Sequence, residues 1–592
     1  MEKRWMLKGS SLDIKKLASE ADIDLILANI LVHRGIKNPK EMKMFLNVDT
    51  SELHNGSSMK DMDKAVAMIK NAIFSKKKIY VYGDYDVDGV MSTYILYRGL
   101  KECGADVRFH IPHRENEGYG MNTEVVKRIK EEGCDLIITC DNGIAAFEQV
   151  EEAKKLGMEV IITDHHDIPF VEEGEDRRYV IPAADAVVNP KQKQCEYSFK
   201  YLCGGGIAYK FIEKLYEQMD ISKLKTYELM QYAAISTICD VVDLVSENRV
   251  IAKTGLEMLN TTENMGLRAL IKECGLEDKR ISAYHIGFII GPCINATGRL
   301  ETAKLSLELL LSQDEEEAAE LAKKLKELNE ERQIMTNKSV ERDIDIINRE
   351  GMLKDRVLVI YDEEIHESIA GIVAGRIKER YNLPAIVLTK GKEMAKGSAR
   401  SIEEYNMFEE LVKCKELLSK FGGHPMAAGM SIEQGKIPAL RNMLNENCSL
   451  KDEDLIPKVR IDQKLPLKYV SFSLINELKQ LEPFGKGNPS PIFAEKNIIL
   501  EKIYLLGKNK NVIKFIFRFN NNRNSINGIY FEGEEFREMI EAAHGEEYYK
   551  KFINGYINGV KVDIIYYPEI NEYNGSSTLQ LIIKDIRLSV NI

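Results

Sequence analysis

Short apolar runs rich in β-branched residues recur between residues 78 and 188, and each run ends in glycine, aspartate or asparagine. They lie in the stretches KIYVYGDYDVDG, CDLIITCDNG, MEVIITDHH and AVVNP. Segments with helical spacing separate them, TEVVKRIKEEG and AAFEQVEEAKKLG, and each closes on a glycine of the kind that ends helices. This alternation predicts an α/β domain in which helices cover a parallel sheet.

Two further regions have helical or buried character. Residues 1–75 mix polar and apolar positions, as in DLILANILVHRGIKNPKEMKMFL, and we expect a helical segment that packs on the domain at 76–300. The stretch YELMQYAAISTICDVVDL is apolar enough to be a buried helix or a buried strand, and it leads to another acidic pair.

A long helix is predicted over residues 301–350, a segment without glycine or proline. The sequence SQDE, from Ser312 to Glu315, fits a capping box, and the charged residues after it predict a helix to about Asn348. At ~1.5 Å per residue such a helix is roughly 55 Å long. It is either a solvated helix on one domain or a connector between two lobes. The connector is favoured because a new β-α pattern follows at once, in RVLVIYDEE, SIAGIVAGRIKERYN and PAIVLTKG.

The last part of the chain, residues 455–592, changes to strands of alternating apolar and polar positions. Examples are NVIKFIFRF, VKVDIIYY and STLQLIIKDIRL, with turn signals between them. This pattern predicts a small closed β-barrel.

Composition and charge restrict the class of protein. A chain of 592 residues is expected to fold into about two to four domains, and 44% hydrophobic with 30% charged residues is ordinary for soluble globular proteins. The N-terminus has no signal-like apolar core and no run has the length that crosses a bilayer. The ten cysteines include no C-x-x-C pair, which argues against structural zinc and suits reduced thiols. We therefore expect a cytoplasmic protein without a membrane anchor.

The net charge of −11 gives no general attraction for nucleic acid, so a polyanion must be held by a local patch or by bound cations. Candidate cation ligands are clustered at the carboxyl ends of the apolar runs. In an open parallel sheet, the loops at these ends converge on one crevice. Two adjacent histidines can share this crevice only if the strand stops before them and the backbone turns. The clustered residues are Asp84, Asp86, Asp88, Asp141, Asp164, His165, His166 and Asp240.

So many carboxylates in one crevice repel one another unless cations neutralise them. Carboxylates with one or two imidazoles and no thiolate favour two divalent ions, Mg²⁺ or Mn²⁺, of which Mn²⁺ matches histidine better. Two such ions polarise a phosphoryl oxygen and supply a hydroxide nucleophile, so hydrolysis of a phosphodiester or a pyrophosphate is expected. Each cluster alone also fits a surface turn or loop. Four clusters, each at a strand end, favour the metal site.

At these residues the sequence resembles the DHH phosphoesterase superfamily, whose ordered motifs are similar to DYDVDG, DNG, DHH and ICDVVDL. The segments GIVAGRI, KGSARSI and FGGHPMAAGM resemble its DHHA1 domain. LEPFGKGNPSPIF and INEYNGSSTLQLIIKDIRL resemble the RecJ branch, the bacterial single-strand-specific 5′→3′ DNA exonucleases. The resemblance implies a DHH catalytic domain at 76–300, a DHHA1 domain at 351–450 and an oligonucleotide-binding (OB) fold at 455–592.

The resemblance also implies roles for individual residues. Two Mn²⁺ or Mg²⁺ ions would be held by Asp84, Asp86, Asp88, Asp141, His165 and Asp240, with Asp141 as the bridge. His166 would face the scissile phosphate, and Asp164 would orient the imidazoles. Arg299, in GPCINATGR, would meet a substrate phosphate. The 5′ end of the strand would be held by Ser398, Arg400, Gly422, Gly423 and His424.

Two positions depart from the family pattern. Cys293 stands where a basic residue is expected, which would weaken one phosphate contact. Asp243 replaces an expected proline, either as a further acidic neighbour of the site or as a solvated side chain.

The barrel sequence GKNKNVIKFIFRFNNNR suggests a nucleic-acid surface. Lys514 and Arg518 alternate with Ile513 and three phenylalanines, so one face can pack while the other is basic, as in barrels that follow a single strand. The phenylalanines taken alone are expected in the core. Lys508, Lys510 and Arg523 extend the basic track.

Three hypotheses of function remain open at this point. The first is an exonuclease that admits single-stranded DNA between two lobes and releases 5′-mononucleotides, in DNA repair and recombination. The second is a phosphodiesterase of short oligonucleotides or cyclic dinucleotides, which has no use for the barrel. The third is a non-catalytic scaffold, which has no reason to keep repelling carboxylates. For the first, the resemblance implies a monomer with a single-strand-binding protein and a RecQ-type helicase as partners.

Overall fold

The computed structural model describes residues 3–173, 176–507, 510–519, 524–555, 560–573 and 575–589. The chain divides into two compact units. The first unit comprises Leu53–Val242 and Glu247–Pro457. The second comprises Lys3–Glu52, Asp243–Ser246 and the chain from Lys458 onward.

The strands are numbered in chain order. Their bounds are β1 Arg4–Leu7, β2 Lys78–Tyr82, β3 Asp106–His110, β4 Leu136–Cys140, β5 Glu159–Thr163, β6 Phe170–Glu173, β7 Asp176–Tyr179, β8 Ala186–Val188, β9 Leu358–Tyr361, β10 Ala385–Lys390, β11 Ala395–Arg400, β12 Leu418–His424, β13 Ala427–Ile432, β14 Lys458–Ile461, β15 Gln463–Lys464, β16 Phe493–Leu506, β17 Val512–Phe519, β18 Asn524–Tyr530, β19 Val560–Tyr573 and β20 Ser576–Leu588.

The α-helices are numbered in the same way. Their bounds are α1 Ile14–Ala21, α2 Leu25–His33, α3 Pro39–Leu46, α4 Met62–Phe74, α5 Val87–Glu102, α6 Thr123–Glu131, α7 Phe147–Lys155, α8 Gly204–Gln218, α9 Lys223–Glu228, α10 Met230–Cys239, α11 Ser246–Leu259, α12 Met265–Glu273, α13 Ala283–His285, α14 Gly291–Leu300, α15 Lys304–Leu311, α16 Glu315–Arg349, α17 Ala370–Tyr381, α18 Met407–Lys413, α19 Ile437–Glu446, α20 Phe472–Lys479, α21 Gly533–His544 and α22 Glu546–Ile553. A π-helical turn, Ile286–Ile290, connects α13 to α14. Short 3-10 helices are Thr50–Glu52, Gly56–Ser58, Met352–Lys354, Glu367–Ile369, Lys415–Leu417, Gln434–Lys436, Asp452–Leu455 and Leu467–Tyr469.

The predicted parallel sheet is confirmed. Its strands follow the order β3-β2-β4-β5-β8 and all neighbours are parallel. Tyr80, Ile137 and Val160 pack against α6 and α7 in one core. The alternate strand residues point to the other face, where α5 and α8 contact the strands. The carboxyl ends of β2, β4 and β5 therefore lie side by side at one edge of the sheet.

The segment that the sequence left open as a helix or a strand is helix α10. Its residues from Met230 to Thr237 are all buried, which explains why its apolar positions show no amphipathic period. The helix packs against α5 and α8 and ends beside the carboxyl edge of the sheet.

The long connecting helix is α16, a single helix of 35 residues. It packs against α12, α14 and α15 in the first lobe and against α17 and β9 in the second, so it joins the two lobes. The predicted capping box is wrong in detail. Asp314 is the N-cap and accepts from the backbone N–H groups of Glu316 and Glu317 at 3.0 and 2.9 Å. Ser312 does not cap the helix. Its hydroxyl donates to the Glu317 carboxylate at 2.5 Å, while Asp314 accepts from the free backbone N–H groups.

The second lobe of the first unit is a five-stranded mixed sheet in the order β12-β13-β11-β10-β9. Strands β9 and β10 are parallel, as the β-α-β pattern predicted, and the other neighbours are antiparallel. Helix α17 contacts β10 and β11.

The second unit contains the predicted closed barrel. Strands β16, β17, β18, β20 and β19 pair in that order, and β19 pairs back with β16. Phe515 and Phe517 of β17 are fully buried, as expected for core positions.

The N-terminal segment departs from the expectation that residues 1–75 pack together on the DHH domain. Residues 3–52 belong to the second unit, where Leu31 and Phe45 share a core with Leu467 and Phe493, and β1 pairs with β14. The chain from Leu53 onward, with the 3-10 helix Gly56–Ser58 and α4, belongs to the first unit. The apolar pattern of these helices predicted that they are buried but carried no information about which domain covers them.

Among the residues that the structure describes, no helix combines the length and the apolar character needed to cross a membrane.

Candidate metal centre

The first acidic cluster lies where β2 gives way to α5. Asp86 is the N-cap of α5 and accepts from Gly89 N at 2.9 Å. Asp88, two residues further and in the first turn of α5, is 2% exposed. Its two carboxylate oxygens accept from Gly204 N and Gly205 N at 2.7 Å each, and Ser236 donates its hydroxyl to the same group. The N-terminus of α8 therefore fixes this carboxylate, because its free N–H groups favour an anion.

Asp141 follows β4 and adopts a left-handed backbone conformation, with φ at 61°. Non-glycine residues seldom take this conformation, and such strain is common where a side chain must be aimed at a site. The next residue holds the turn in place. The Asn142 amide donates to Gly83 O and Cys140 O, both at 2.9 Å, and so links the loop after β4 to the loop after β2.

The adjacent histidines share one site because the chain turns around Asp164. Strand β5 ends at Thr163. Asp164 then accepts from the backbone N–H groups of His165 and His166 at 2.7 and 3.0 Å, and from Ile144 N at 2.9 Å. The two imidazole centroids lie only 4.5 Å apart. The expected turn after Thr163 is thus present.

The clusters come together at the carboxyl edge of the sheet. His165 Nε2 lies 3.1 Å from Asp141 Oδ1 and 3.6 Å from Asp88 Oδ2, and its Nδ1 lies 3.8 Å from Asp240 Oδ2. Three overlapping groups of side chains each place their candidate ligand atoms within 4.8 Å of one another. These groups are Asp84-Asp86-Asp141, Asp88-His165-Asp240 and Asp141-His165-His166.

Charge repulsion at this place is strong enough to oppose ionisation. Burial and the neighbouring Asp86 raise the pKa of Asp84 well above its usual value, and burial and Asp88 raise the pKa of Asp141 in the same direction. The pKa of Asp240 rises to about 8, from burial and from Asp88. Asp84 Oδ1 is buried with no hydrogen-bond partner among the described residues. Oxygen ligands that repel one another and lack partners fit hard divalent cations.

The thiols beside the cluster do not change this conclusion. Cys203 and Cys239 are both close to Asp88, and burial raises the pKa of each thiol far above neutrality. Among the described residues, the groups of candidate ligands contain only carboxylates and imidazoles, which suit Mg²⁺ or Mn²⁺. Burial also lowers the pKa of His165, which favours the neutral, ligating form.

Sequence reasoning missed Tyr119. Its hydroxyl lies 3.1 Å from His166 Nε2 and 3.3 Å from the backbone oxygen of Asp141, and the residue is 55% exposed at the rim of the cluster. A signal was present in the sequence. The segment HIPHRENEGYGMN follows β3, whose carboxyl end lies at the same edge of the sheet as the acidic clusters.

A group of arginines lies next to the cluster. The Arg114 guanidinium stacks on the ring of Tyr85 at 4.1 Å, and its Nε donates to Gly298 O at 3.2 Å. Arg299 is anchored by Ser368 of the second lobe, whose backbone oxygen accepts from Nη1 at 2.5 Å. Burial and then the nearby Arg114 lower the pKa of Arg299 to about 10. Such a concentration of partly buried cations fits a polyanionic ligand.

In the second lobe, the predicted residues line up across three strands. The register places Ser398 of β11 level with Gly429 of β13 and Gly422 of β12, and it places Arg400 level with Ala427 and His424. Added Cβ atoms at Gly422 and Gly429 would meet nothing within 4 Å, so this part of the sheet presents open backbone. Gly423, the neighbour of Gly422, has a φ of 155° and no room for a side chain beside Ala427 and Ala428.

Arg400 is directed at helix α17. Its Nη1 donates to Ala399 O at 2.8 Å and contacts Ser398 Oγ at 3.3 Å. A Cβ atom on Gly371 of α17 would come within 2.8 Å of both Arg400 Nη2 and Ser398 Oγ. Glycine at this position therefore leaves room for the guanidinium, and burial lowers the pKa of Arg400.

His424 is exposed at the tip of the β12–β13 hairpin. Lys191 pairs with Asp167 and lowers its pKa, and His424 contributes in the same direction, so the hairpin tip faces the loop that carries His165 and His166. A second contact joins the lobes, because His366 Nε2 lies 3.0 Å from Glu115 Oε1.

The basic residues predicted on the barrel have different surroundings. Lys514 of β17 is the cross-strand partner of Tyr504 in β16, and the Tyr504 side chain is 48% exposed. Arg518 forms a two-point ion pair with Glu501 at 2.6 and 2.5 Å, so its charge is largely neutralised within the barrel. Lys508 and Arg523 lie outside the described residues.

Both departures from the family pattern have a structural account. Cys293 is 2% exposed and its sulfur contacts Ile289 O and the Cys274 sulfur, at 3.2 and 3.9 Å. Asp243 belongs to the second unit, where its carboxylate lies 3.9 Å from Lys486 Nζ.

Family models match three parts of the chain. The DHH family N-terminal domain matches residues 78–237, the DHHA1 domain matches 354–450 and the RecJ OB domain matches 461–585.

Comparison with individual proteins covers nearly the whole chain. The single-stranded-DNA-specific exonuclease RecJ of Bacillus subtilis is 38% identical over 591 residues, which is 99% of this chain and 71% of that protein. The protein of the same name from Salmonella typhimurium is 31% identical over 96% of each chain. The crystal structure of Thermus thermophilus RecJ in complex with Mn²⁺ aligns with a TM-score of 0.81 and 27% identity, over 100% of this chain and 80% of that one. The chain belongs to the RecJ family.

Proposed function

We propose that the protein is a metal-dependent 5′→3′ exonuclease specific for single-stranded DNA that hydrolyses phosphodiester bonds and releases 5′-mononucleotides. The observation that carries the proposal is the convergence of carboxylates and imidazoles, in groups whose ligand atoms lie within 4.8 Å, at the carboxyl edge of a parallel sheet. The names of the relatives, which are single-stranded-DNA-specific exonucleases, support the single-stranded DNA substrate and the exonuclease reaction.

The residues proposed to hold two Mn²⁺ or Mg²⁺ ions are Asp84, Asp86, Asp88, Asp141, His165 and Asp240. When bound, such ions polarise a phosphoryl oxygen and make water more acidic. The protein fixes the ligands beforehand through backbone N–H groups, of Gly204 and Gly205 for Asp88 and of Gly89 for Asp86. This pre-organisation keeps the carboxylates in place against their own repulsion.

His166 and Asp164 are proposed as the catalytic pair. Asp164 fixes the imidazole through Nδ1 at 2.7 Å, which leaves Nε2 directed toward Tyr119 and the open side of the cluster. In its protonated form this nitrogen donates a hydrogen bond to a non-bridging oxygen of the scissile phosphate and stabilises the charge that develops there.

Arg299, Ser398, Arg400, Gly422, Gly423 and His424 are proposed to bind the strand near its 5′ end. The partly buried guanidiniums of Arg299 and Arg400 supply positive charge, and the open glycine backbone lets a phosphate approach the sheet closely. Contacts between the lobes, from Arg299 to Ser368 and from His366 to Glu115, restrict the cleft between them. This restriction is our explanation for the exclusion of duplex DNA. Lys514 and Arg518 are proposed to contact the strand on the barrel, and for this contact Arg518 exchanges its ion pair with Glu501 for a phosphate.

The test is a nuclease assay with strands labelled at the 5′ or the 3′ end, a blunt duplex and a cyclic dinucleotide, each with Mn²⁺ or with EDTA. We expect labelled mononucleotide from the 5′ end of the single strand alone, and none in EDTA. Turnover of only the cyclic dinucleotide would replace the proposal with a small-substrate phosphodiesterase. Binding without turnover would replace it with a scaffold.

We infer further that the protein acts as a cytoplasmic monomer with a single-strand-binding protein and a RecQ-type helicase. The inference is supported by the family assignment and by a single-stranded substrate, which other proteins must unwind and coat. Co-purification from a native lysate and light scattering test the partners and the oligomeric state.

We also propose domain boundaries at 76–300, 301–350, 351–450 and 455–592, which limited proteolysis tests.

A further inference from the structure

Two cysteine sulfurs approach each other outside the proposed active site. Cys274 caps the C-terminus of α12 and Cys293 lies in the first turn of α14, and their Sγ atoms are 3.9 Å apart. A disulfide holds its sulfurs at ~2.05 Å, so closing this gap takes about 2 Å of sulfur movement, a distance within reach of side-chain rotation.

The two thiols differ in their access to solvent. Cys274 is partly exposed, whereas Cys293 is 2% exposed. The Cys293 sulfur is held from the other side, since it donates to Ile289 O at 3.2 Å and the Asn329 amide lies 3.6 Å from it. A small reagent therefore meets Cys274 first, and Cys293 is in position to react with whatever forms there.

The surroundings also make Cys274 the more reactive thiol. Lys326 donates to the backbone oxygen of Glu273 at 2.9 Å, which places an ammonium group beside Cys274. The contact between the two sulfurs lowers the pKa of Cys274, and the charge of Lys326 adds to the effect against the opposing burial. The same contact and burial raise the pKa of Cys293. The thiolate is the nucleophilic form of cysteine, so Cys274 attacks and Cys293 resolves.

We propose that Cys274 and Cys293 form an oxidation site that closes to an intramolecular disulfide when the protein meets a peroxide. The Cys274 thiolate attacks one peroxide oxygen, so that an S–O bond forms, the O–O bond breaks and the other oxygen leaves as water after taking up a proton. The Cys293 sulfur then attacks the oxidised sulfur of Cys274. The S–S bond forms, the S–O bond breaks, and hydroxide leaves with the Cys293 proton as a second water. Two thiols are oxidised and one peroxide is reduced.

The disulfide ties α12 to α14, the helix that carries Arg299 and that Arg114 contacts through Gly298 O. It closes a loop of chain between residues 274 and 293, and closing such a loop restricts the unfolded chain. We therefore expect the oxidised protein to melt at a higher temperature than the reduced protein, with the difference removed by dithiothreitol.

The experiment treats the full-length, reductant-free protein with hydrogen peroxide, blocks the remaining thiols with N-ethylmaleimide in denaturant and maps the peptides by mass spectrometry without reduction. We expect a peptide pair joined through Cys274 and Cys293, and a loss of two of the ten free thiols. Dithiothreitol restores both thiols.

Single variants provide the controls. Cys274→Ser and Cys293→Ser each abolish the joined peptide and the rise in melting temperature, and Cys293→Ala serves if serine at this buried position prevents folding. Cys448→Ser, at another partly exposed cysteine, keeps both effects. A wild type that retains all ten thiols overturns the proposal. So does oxidation of Cys274 alone to the sulfinic acid in the wild type, or a loss of two thiols that dithiothreitol reverses and that persists in Cys293→Ser.

Discussion

The Asp164 carboxylate accepts a hydrogen bond from His166 Nδ1 at 2.7 Å, and this contact joins a buried anion to the imidazole at the rim of the metal cluster. The Asp164 side chain is 1% exposed and that of His166 is 42% exposed. Burial opposes both charges, but the mutual hydrogen bond and attraction outweigh it. They lower the pKa of Asp164 to about 2 and raise that of His166 to about 9. His166 is therefore held in one orientation with a charged ring.

Replacing this anchor tests the proposed role of His166. Asp164→Asn keeps the size of the side chain but removes the charge, so the imidazole loses its orientation and its proton. We expect kcat on single-stranded DNA to fall by ~10–100-fold, as is usual when the partner of a functional histidine is removed. Steady-state kinetics measure the change. Asp167→Asn, an exposed neighbour paired with Lys191, is the control and should leave kcat unchanged. Equal losses in both variants would assign the effect to the loop rather than to the pair.

Divalent ions should stabilise the protein as well as activate it. Carboxylates such as Asp84 and Asp141 repel one another, so Mn²⁺ relieves strain that exists only in the folded state. At a concentration ~100 times the dissociation constant, binding adds about 2.7 kcal/mol to the free energy of unfolding. We expect the melting temperature of EDTA-treated protein to rise on addition of Mn²⁺.

Asp141→Ala should remove most of that rise and abolish turnover while single-strand binding persists. Isothermal titration with Mn²⁺ and a strand-binding assay measure the two properties separately. Asp106→Ala is the control, since Asp106 is exposed at the opposite end of the same sheet. A wild-type rise retained in full by Asp141→Ala would remove this residue from the metal site.

The strand ends and the turn after Thr163 could be predicted from the sequence because a parallel sheet gathers the residues that follow its strands at one edge. This topology was enough to bring Asp84, Asp141 and His165 together before any coordinates were known. Tyr119 was not predicted, although it follows β3 of the same sheet. Its segment contains Glu115 and Glu117 but none of the aspartates that drew attention to the other loops.

The partners of individual side chains were not predictable. Arg518 has the same pattern in the sequence as Lys514, but an irregularity in the pairing of β16 with β17, at Glu501, allows that carboxylate to pair with Arg518. The position of residues 3–52 was also not predictable. The apolar sequence of helix α2 shows that the helix must be buried, but it does not show which domain covers it.

Arg400 should decide the preference for a 5′-phosphate. A charged hydrogen bond contributes about 1.5–3 kcal/mol, so Arg400→Ala should reduce the ratio of rates on 5′-phosphate and 5′-hydroxyl strands by roughly 10- to 100-fold. Competition between the two labelled strands measures this ratio directly. A wild type that degrades both strands equally would contradict the role at once.

A pair of glycine variants separates the position of Arg400 from its charge. A Cβ atom on Gly371 comes within 2.8 Å of Arg400 Nη2 and Ser398 Oγ, whereas one on Gly375 comes no closer than 4.0 Å to Arg400 Cγ. Gly371→Ala should therefore lower the 5′-phosphate preference while the charge remains, and Gly375→Ala, on the same helix, should not. The same competition assay applies, with melting curves to confirm that both variants fold. An unchanged preference in Gly371→Ala would mean that the guanidinium binds elsewhere.

The last prediction concerns Asp343, which is fully buried on the face of α16 that packs on the second lobe. Neither carboxylate oxygen has a hydrogen-bond partner among the described residues. Burial and then the charge of Asp362 raise the pKa of Asp343 to about 7. The folded protein thus keeps a proton that the unfolded chain has already released above its ordinary pKa of 3.8. The contribution of Asp343 to the free energy of unfolding is therefore greatest below pH 3.8 and falls as the pH rises toward about 7.

Asp343→Asn removes this dependence, because the amide is neutral at every pH. We expect the variant to melt at a higher temperature than wild type at both pH values, with a gain limited to about 4 kcal/mol at pH 8 and to about 1.6 kcal/mol at pH 5, where most of the titration between 3.8 and about 7 still lies ahead. Melting curves of both proteins across this range measure the difference, in which the titration of all other groups cancels. Asp345→Asn, exposed two residues along the same helix, should follow the wild-type curve. A variant less stable than wild type at pH 8 would indicate that the folded protein holds Asp343 as a paired anion, since only an ionised carboxylate with a cationic partner loses stability when it becomes an amide.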